Sequence, residues 1–363
     1  MKIIHTGDIH LGAAMKNLPP DKGELRKAEL LDAFRRLATF AKNNGVEAVL
    51  IAGDLFDENR VLRRIKREVF AVIAAAAPVR FFYVSGNHDD EFDFDDELPN
   101  NLYLFSKNHG WQSYELSDNV LLTGLDSKYV EDARYKELSM RRDSYNIVML
   151  HGDVTKGDSR EKTADGLALA RLQNKHIDYL ALGHIHKPTL TAEKLDSRGH
   201  YRYCGCLEGR GFDECGQKGF FLLEVVDGRL IKEEFLSVAK RTVREARADV
   251  SACGSYFDVE RTAFEALSGA NPVDIVRLTL CGRHKAGLRK DLPLLSARLC
   301  ETFFFARVED ESTTYVDPAV YQNDLSELGE FVREVGRYEM NEDLRGEILD
   351  VGIKALIGED IDL

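Results

Sequence analysis

Five apolar runs in the first half of the chain each end in a short motif of aspartate, histidine or asparagine beside glycine. They are "KIIHTGDIH", "EAVLIAGDLFD", "VRFFYVSGNHDD", "YNIVMLHGD" and "IDYLALGHIHKP". A short apolar run rich in β-branched and aromatic residues, bounded by glycine and polar residues, reads as a buried strand. Between the first runs lie stretches of helical period. Leu25, Leu30, Phe34, Leu37 and Phe40 mark one from about Lys22 to Asn43, and a basic one runs from Arg60 to Ala75. Strands alternating with helices predict α/β layering with partly parallel sheets. In such sheets functional groups collect outside the carboxyl ends of the strands, where all five motifs place their polar side chains.

The remaining pattern predicts further elements. Shorter alternating runs from Asn101 to Leu122 suggest antiparallel strands. "HYRYCGCLEGR" and "KGFFLLEVVDGRLIKEEFL" read as closing strands with a turn at Asp227-Gly228. The charged stretch "VAKRTVREARADV" breaks the strand pattern near residue 238. Residues 250–320 then read as a small α/β unit: a helix near Val259 to Leu267, a strand in "DIVRLTLCGR", a helix near Leu292 to Leu299 and a strand near Phe303 to Val308. Apolar residues at 325, 328, 332 and 335 mark an amphipathic tail helix, and a second is expected from Asp343 to Ile357. The expected domains are 1–238, 239–320 and 321–363.

Composition bounds the function. The longest apolar run, Phe70 to Val79, is too short to span a bilayer, so no membrane partner is expected. The chain goes from Met1-Lys2 directly into the first strand, without a basic-then-apolar leader. With six scattered cysteines, this favours a cytoplasmic protein with reduced thiols. Cys204, Cys206 and Cys215 cluster, but a zinc site needs a fourth ligand that the spacing does not announce, and packing is the expectation for them. A formal net charge of −13 argues against gripping nucleic acid by bulk electrostatics.

The strand-end residues carry chemistry as a set. Asp8, His10, Asp54, Asn87, His88, His151, His184 and His186 combine carboxylates, imidazoles and an amide oxygen. That mixed O/N set suits Mn²⁺, Fe²⁺ or Zn²⁺, whereas calcium sites use oxygen alone. Any one Asp or His after a strand is ordinarily a turn former or cap. His109, His176, His200 and His284 fall outside the pattern and are read as ordinary. His184 and His186 would share a face in a strand, but just past a strand end their rings can diverge toward two partners.

D-x-H, G-D, G-N-H, H-G and G-H-x-H in that order resemble the signature of the calcineurin-like metallophosphoesterases over residues 3–188. The resemblance implies a four-layer α/β/β/α sandwich, here with a small α/β cap and a helical tail, and two divalent metals. Asp8, His10 and His186 would hold one metal, Asn87, His151 and His184 the other, and Asp54 both. Two adjacent metals, roughly 3.5–4 Å apart, neutralise phosphate charge and activate water for in-line displacement. By the same resemblance His88 contacts the phosphate and assists the leaving oxygen, with Asp89 orienting it.

Within that superfamily, the helix after the first motif and the segment "YRYCGCLEGRGFDECGQKGFFLLEV" are similar to those of SbcD-type (YhaO-like) DNA repair exonucleases. Cys204 stands where that group carries proline. The resemblance implies a manganese-dependent nuclease acting on DNA, a partner ATPase of SbcC type and a homodimer. Arg60, Arg63, Arg64 and Arg67, with "GRHKAGLRK" at 282–290, either position a phosphate backbone or are solvated faces. The tail helices dock such an ATPase or a second copy, or pack on the cap. The acidic run "DDEFDFDDE" at 89–97 would repel phosphates and suits a small phosphodiester, such as a cyclic nucleotide, better than DNA. A third alternative is a non-catalytic module braced by metals for docking.

Overall fold

The computed structural model describes residues 1–15, 17–57, 63–89, 98–105, 110–127, 130, 132–155, 166–285, 287–315 and 323–357. Arg60, His109 and the acidic residues 90–97 lie outside the described residues. The chain divides into two compact units, Met1–Thr242 and Val243–Leu363.

The first unit is built on two six-stranded sheets. Its strands are β1 (Lys2–Thr6), β2 (Ala48–Ala52), β3 (Arg80–Val84), β4 (Leu102–Leu104), β5 (Gln112–Ser117), β6 (Val120–Gly124), β7 (Tyr145–His151), β8 (Asp153–Thr155), β9 (Gly166–Ala168), β10 (Tyr179–Gly183), β11 (Glu193–Lys194), β12 (His200–Tyr203), β13 (Phe220–Val226) and β14 (Arg229–Leu236). One sheet has the order β14-β13-β1-β2-β3-β4 and the other β11-β12-β10-β7-β6-β5. β8 and β9 form a separate parallel pair. Within the first sheet β1, β2, β3 and β4 run parallel, and in the second β6, β7, β10 and β12 do. Only β5–β6 of the stretch expected to be antiparallel is so paired; β4 adds to β3 in parallel instead.

Central strands such as β2 and β7 are buried along their whole length, as expected where both faces are covered. Ile3, Leu50 and Phe82 of one sheet pack against Leu122, Ile147 and Tyr179 of the other. The outer face of the first sheet is covered by α1 (Pro20–Asn43) and α2 (Arg63–Ala75). That of the second carries α3 (Asp132–Glu137) and α4 (Leu169–Leu172). The result is an α/β/β/α sandwich. Asp227 and Gly228 take positive φ of 49° and 69° in the two-residue turn between β13 and β14, which matches the twist of the flanking strands.

The second unit has a three-stranded parallel sheet of β15 (Val243–Asp249), β16 (Ile275–Cys281) and β18 (Phe305–Asp310), packed by α5 (Tyr256–Ala266) and α6 (Leu292–Thr302). β17 (Arg283–Lys285) pairs with β19 (Thr313–Tyr315). α7 (Glu327–Gly336) and α8 (Glu342–Ile357) follow. β15 occupies the charged stretch read from sequence as a break. It is an edge strand, and its exposed Glu245 and Arg247 suit a position with one open side. Among the described residues no helix is long and apolar enough to cross a membrane.

α1 also buries charge. Arg26, fully buried, donates to Glu29 at 2.6 Å, to Glu208 at 3.0 Å and to the Gly209 carbonyl at 2.7 Å. Arg241 holds Glu29 from the other side at 2.7 Å. Removing one partner of a buried pair strands the others without water. Arg26→Met is therefore expected to lower unfolding free energy by about 3–5 kcal/mol, read by urea denaturation, and a loss under about 1 kcal/mol, the range of exposed pairs, would contradict this.

Candidate metal centre

All the strand-end residues singled out in the sequence lie in the first unit, at or just past the carboxyl ends of β1, β2, β3, β7 and β10. The backbone there is bent. Asp8, His10, Asp54 and His184 all take positive φ, at 48°, 50°, 48° and 99°. Such conformations cost of order 1–3 kcal/mol each for residues with a Cβ and persist only where surrounding structure holds them. Here the amides of Ile9 and His10 both donate to the Asp54 carbonyl, at 2.8 and 2.9 Å. The loops after β1 and β2 are thus tied to each other. A Cβ on Gly53 would lie 2.1 Å from His151 Nδ1, and one on Gly183 1.8 Å from the Ala52 carbonyl oxygen. Glycine at both places lets the two sheets bring their ends together.

The imidazoles are held by one nitrogen and aimed with the other. His10 Nδ1 lies 2.9 Å from Asp57 Oδ1, and His186 Nδ1 lies 2.6 Å from Glu214 Oε1. Hydrogen bonds from His10 hold the Asp57 carboxyl below its usual range. Burial pushes Glu214 up, but hydrogen bonds from His186 and Arg210 outweigh it and hold this carboxyl well down. Both are therefore carboxylates; at His186 the 2.6 Å contact to Glu214 is shorter than the 3.1 Å approach of Arg210 Nη2 to the same nitrogen, so each Nδ1 is assigned the proton and each Nε2 a lone pair. Those two Nε2 atoms face each other at 3.0 Å.

A second group repeats this. His151 Nδ1 lies 2.9 Å from the Ala52 carbonyl, which accepts its proton. Its Nε2 then meets Asn87 Oδ1 at 2.9 Å and Asp54 Oδ2 at 3.4 Å. His184 Nδ1 approaches the same Asn87 oxygen at 3.2 Å. Asp54 Oδ2 also lies 3.5 Å from His10 Nε2, so this carboxylate stands between the two groups. Asp8 accepts from the His184 amide at 2.8 and 3.0 Å.

Acceptors facing acceptors in a buried site are costly unless a proton, a water or a cation stands between them, and a divalent ion would satisfy several at once. Burial, then the neighbouring Asp54, pushes the Asp8 carboxyl far above its usual value. Burial keeps His10 and His151 from protonating, lowering both. Four acidic side chains, Asp8, Asp54, Asp57 and Glu214, stand near the Arg210 guanidinium and the Lys218 ammonium. The side-chain donors of Asp8, His10 and His186 lie within 4.8 Å of one another, as do those of Asp8, Asp54 and His151 and those of His10, Asp57 and His88. The donor set fits borderline divalent ions such as Mn²⁺, Fe²⁺ or Zn²⁺.

The other two expected residues are His88 and Asp89. His88 is exposed; its amide donates to Asp54 Oδ1 at 3.0 Å and its Nδ1 lies 3.1 Å from the Asp57 carbonyl. Asp89 does not hold that ring. Its oxygens accept from the amides of Phe56 and Gly86 at 3.1 and 3.0 Å. Burial and then Asp54 raise it to about 6. A carboxyl that accepts from two backbone amides and pairs with the Tyr83 hydroxyl braces the loop that carries the imidazole.

Asp57, Arg210 and Glu214 were missed in the sequence, although "GDLFD" and "GRGFDE" contain them. Cys206 is buried with its Sγ 3.6 Å from the His186 carbonyl and 3.7 Å from Glu214. Burial pushes the Cys204 and Cys206 thiols up, which suits packing. In the second unit, Lys290 is committed to Asp310 at 2.6 Å and to the buried His284 at 3.0 Å, so neither offers a surface charge from the 282–290 cluster.

A family model described as calcineurin-like phosphoesterase matches residues 1–188. The chain is 26% identical over 307 residues to YhaO of Bacillus subtilis (strain 168), an uncharacterized metallophosphoesterase, covering 78% of this chain and 72% of that protein. It is 25% identical over 280 residues to the DNA double-strand break repair protein Mre11 of Aeropyrum pernix, covering 71% of this chain and 66% of that one. It is also 25% identical over 283 residues to the SbcD component of the SbcCD nuclease of Escherichia coli (strain K12), covering 66% and 68% respectively.

Stripping divalent ions with a chelator is expected to lower the melting temperature. Returning Mn²⁺ at a hundredfold excess over its Kd should restore about 2.7 kcal/mol per site by mass action. Scanning calorimetry reads this, and a melting temperature indifferent to Mn²⁺, Fe²⁺ and Zn²⁺ would contradict the donor assignment.

Proposed function

The chain belongs to the calcineurin-like phosphoesterase family, and from that premise we propose that it is a two-metal phosphodiesterase cleaving DNA, a nuclease of SbcD type. The observation that carries the metal part is the pair of imidazole lone pairs facing each other beside buried carboxylates. Asp8, His10 and His186 would hold one ion, Asn87, His151 and His184 the other, and Asp54 both. When bound, the two ions, manganese by this reading, supply charge neutralisation on the phosphate and an activated water.

The chain's own residues do the rest. The Asp57 carbonyl accepts the Nδ1 proton of His88, which leaves Nε2 of the imidazolium to deliver a proton to the leaving oxygen. Asp89 serves that step by bracing the loop that carries Asn87 and His88. A metal-braced docking module without catalysis has no use for His88.

DNA as substrate is supported by the names of Mre11 and the SbcCD nuclease among the relatives. Arg63, Arg64 and Arg67 open α2, shortly after Asp57, and are exposed; Arg64 also pairs with Glu68 at 2.9 Å. We assign them to the phosphate backbone. The net charge of −13 makes such binding dependent on these local contacts and on the ions. It also keeps a small phosphodiester as the second reading.

The first unit is the phosphoesterase domain, and the second is a cap with a partner-binding tail. α8 buries Leu349 and Ile353 against α7 and leaves Leu344, Ile348 and Val351 partly exposed, a surface for an ATPase of SbcC type or a second copy. The cytoplasm, where the thiols stay reduced, is the expected compartment.

With Mn²⁺ and end-labelled linear duplex DNA, the purified protein is expected to cleave. His88→Ala should lose about 10²–10⁴-fold in rate while keeping its metal content. Cleavage unchanged in His88→Ala would overturn the acid assignment. Hydrolysis of a generic phosphodiester without DNA cleavage would move the substrate to the small class.

A further inference from the structure

Arg210 joins the two carboxylates that hold the facing histidines. Its guanidinium donates to Asp57 Oδ1 at 3.0 Å and, through two nitrogens, to Glu214 Oε1 at 2.7 and 3.0 Å. Its own amide donates to the other Glu214 oxygen at 2.7 Å, so the turn 210–214 closes on itself. Asp57 Oδ1 and Glu214 Oε1 are the same atoms that accept from His10 Nδ1 and His186 Nδ1. One planar fork therefore fixes both acceptors, although His10 and His186 come from different sheets. The side chain of Arg210 is 21% exposed and that of Glu214 3%, which leaves Glu214 little water to replace a lost partner.

We infer that Arg210 is a positioning residue: it locks Asp57 and Glu214 so that His10 and His186 both turn Nε2 lone pairs to the ion shared with Asp8. This rests on the two-metal reading above. The sign of its charge makes the role separable from electrostatics. A guanidinium this close to a cation repels it, so on charge alone its removal would tighten metal binding. As a positioning residue its removal weakens binding, because outer partners of ligating histidines typically cost 10–100-fold in affinity when lost. Lysine keeps the charge but lacks the fork needed to reach both carboxylates.

Mn²⁺ titration by calorimetry on the metal-free full chain separates these outcomes, with Arg210→Gln, Arg210→Lys and His186→Ala beside the wild type. The wild type is expected to take up two equivalents. Both Arg210 variants should weaken one of them by about 10–100-fold, the same one that His186→Ala abolishes, with the other unchanged. Circular dichroism of the metal-free variants should match the wild type. Binding that is unchanged or tighter, full rescue by Arg210→Lys, or equal weakening of both equivalents with lost secondary structure would each overturn the positioning role. A wild type that takes up no Mn²⁺ overturns the metal reading and this inference with it.

Discussion

The Nε2 atoms of His10 and His186 lie 3.0 Å apart, with each ring donating a hydrogen bond from Nδ1 to a carboxylate. The first unit is arranged around that contact and its counterpart at His151 and Asn87. The His10–His186 pair cannot make a hydrogen bond to itself in the tautomers its carboxylate partners impose. Protonation would relieve the contact, but burial works against it at His10 and His151. A divalent ion would satisfy the lone pairs and the carboxylates at once.

The fold supplies what such a site needs, which is rigidity from two directions. Asp8, His10, Asp54, Asn87 and His88 come from one sheet, and His151, His184 and His186 from the other. The apolar core between the sheets sets their separation, and the cross-ties from the Asp54 carbonyl and the Ala52 carbonyl stitch the rims. Because the donors are divided between the two sheets, the site exists only when the sheets are packed, and metal binding there would be linked to folding. The strained backbone at four of these residues is held by the same packing.

The layered fold was legible in the sequence because buried parallel strands write themselves as unbroken apolar runs ended by glycine. The helices of α1, α5 and α6 showed through their apolar spacing in the same way. β15 did not, since an edge strand tolerates the charges that disguise it. At the site, the five motifs name the residues that the structure gathers. What they leave out is the layer behind. Asp57 reaches His10 across 47 positions and Glu214 reaches His186 across 28, and Arg210 spans 153 to Asp57. Short-range pattern carries no record of such pairings. For Asp89 the resemblance implied a partner for the His88 ring, while the loop turns its carboxyl inward to the backbone amides of Phe56 and Gly86.

By the two-metal reading, these facing donors form two adjacent cation positions. Anomalous diffraction from crystals grown with Mn²⁺ tests it most directly. Two manganese peaks are predicted, one among Asp8, His10 and His186 and one among Asn87, His151 and His184, with Asp54 between them. A single peak elsewhere, or empty density with His10 and His186 turned apart, would contradict the account.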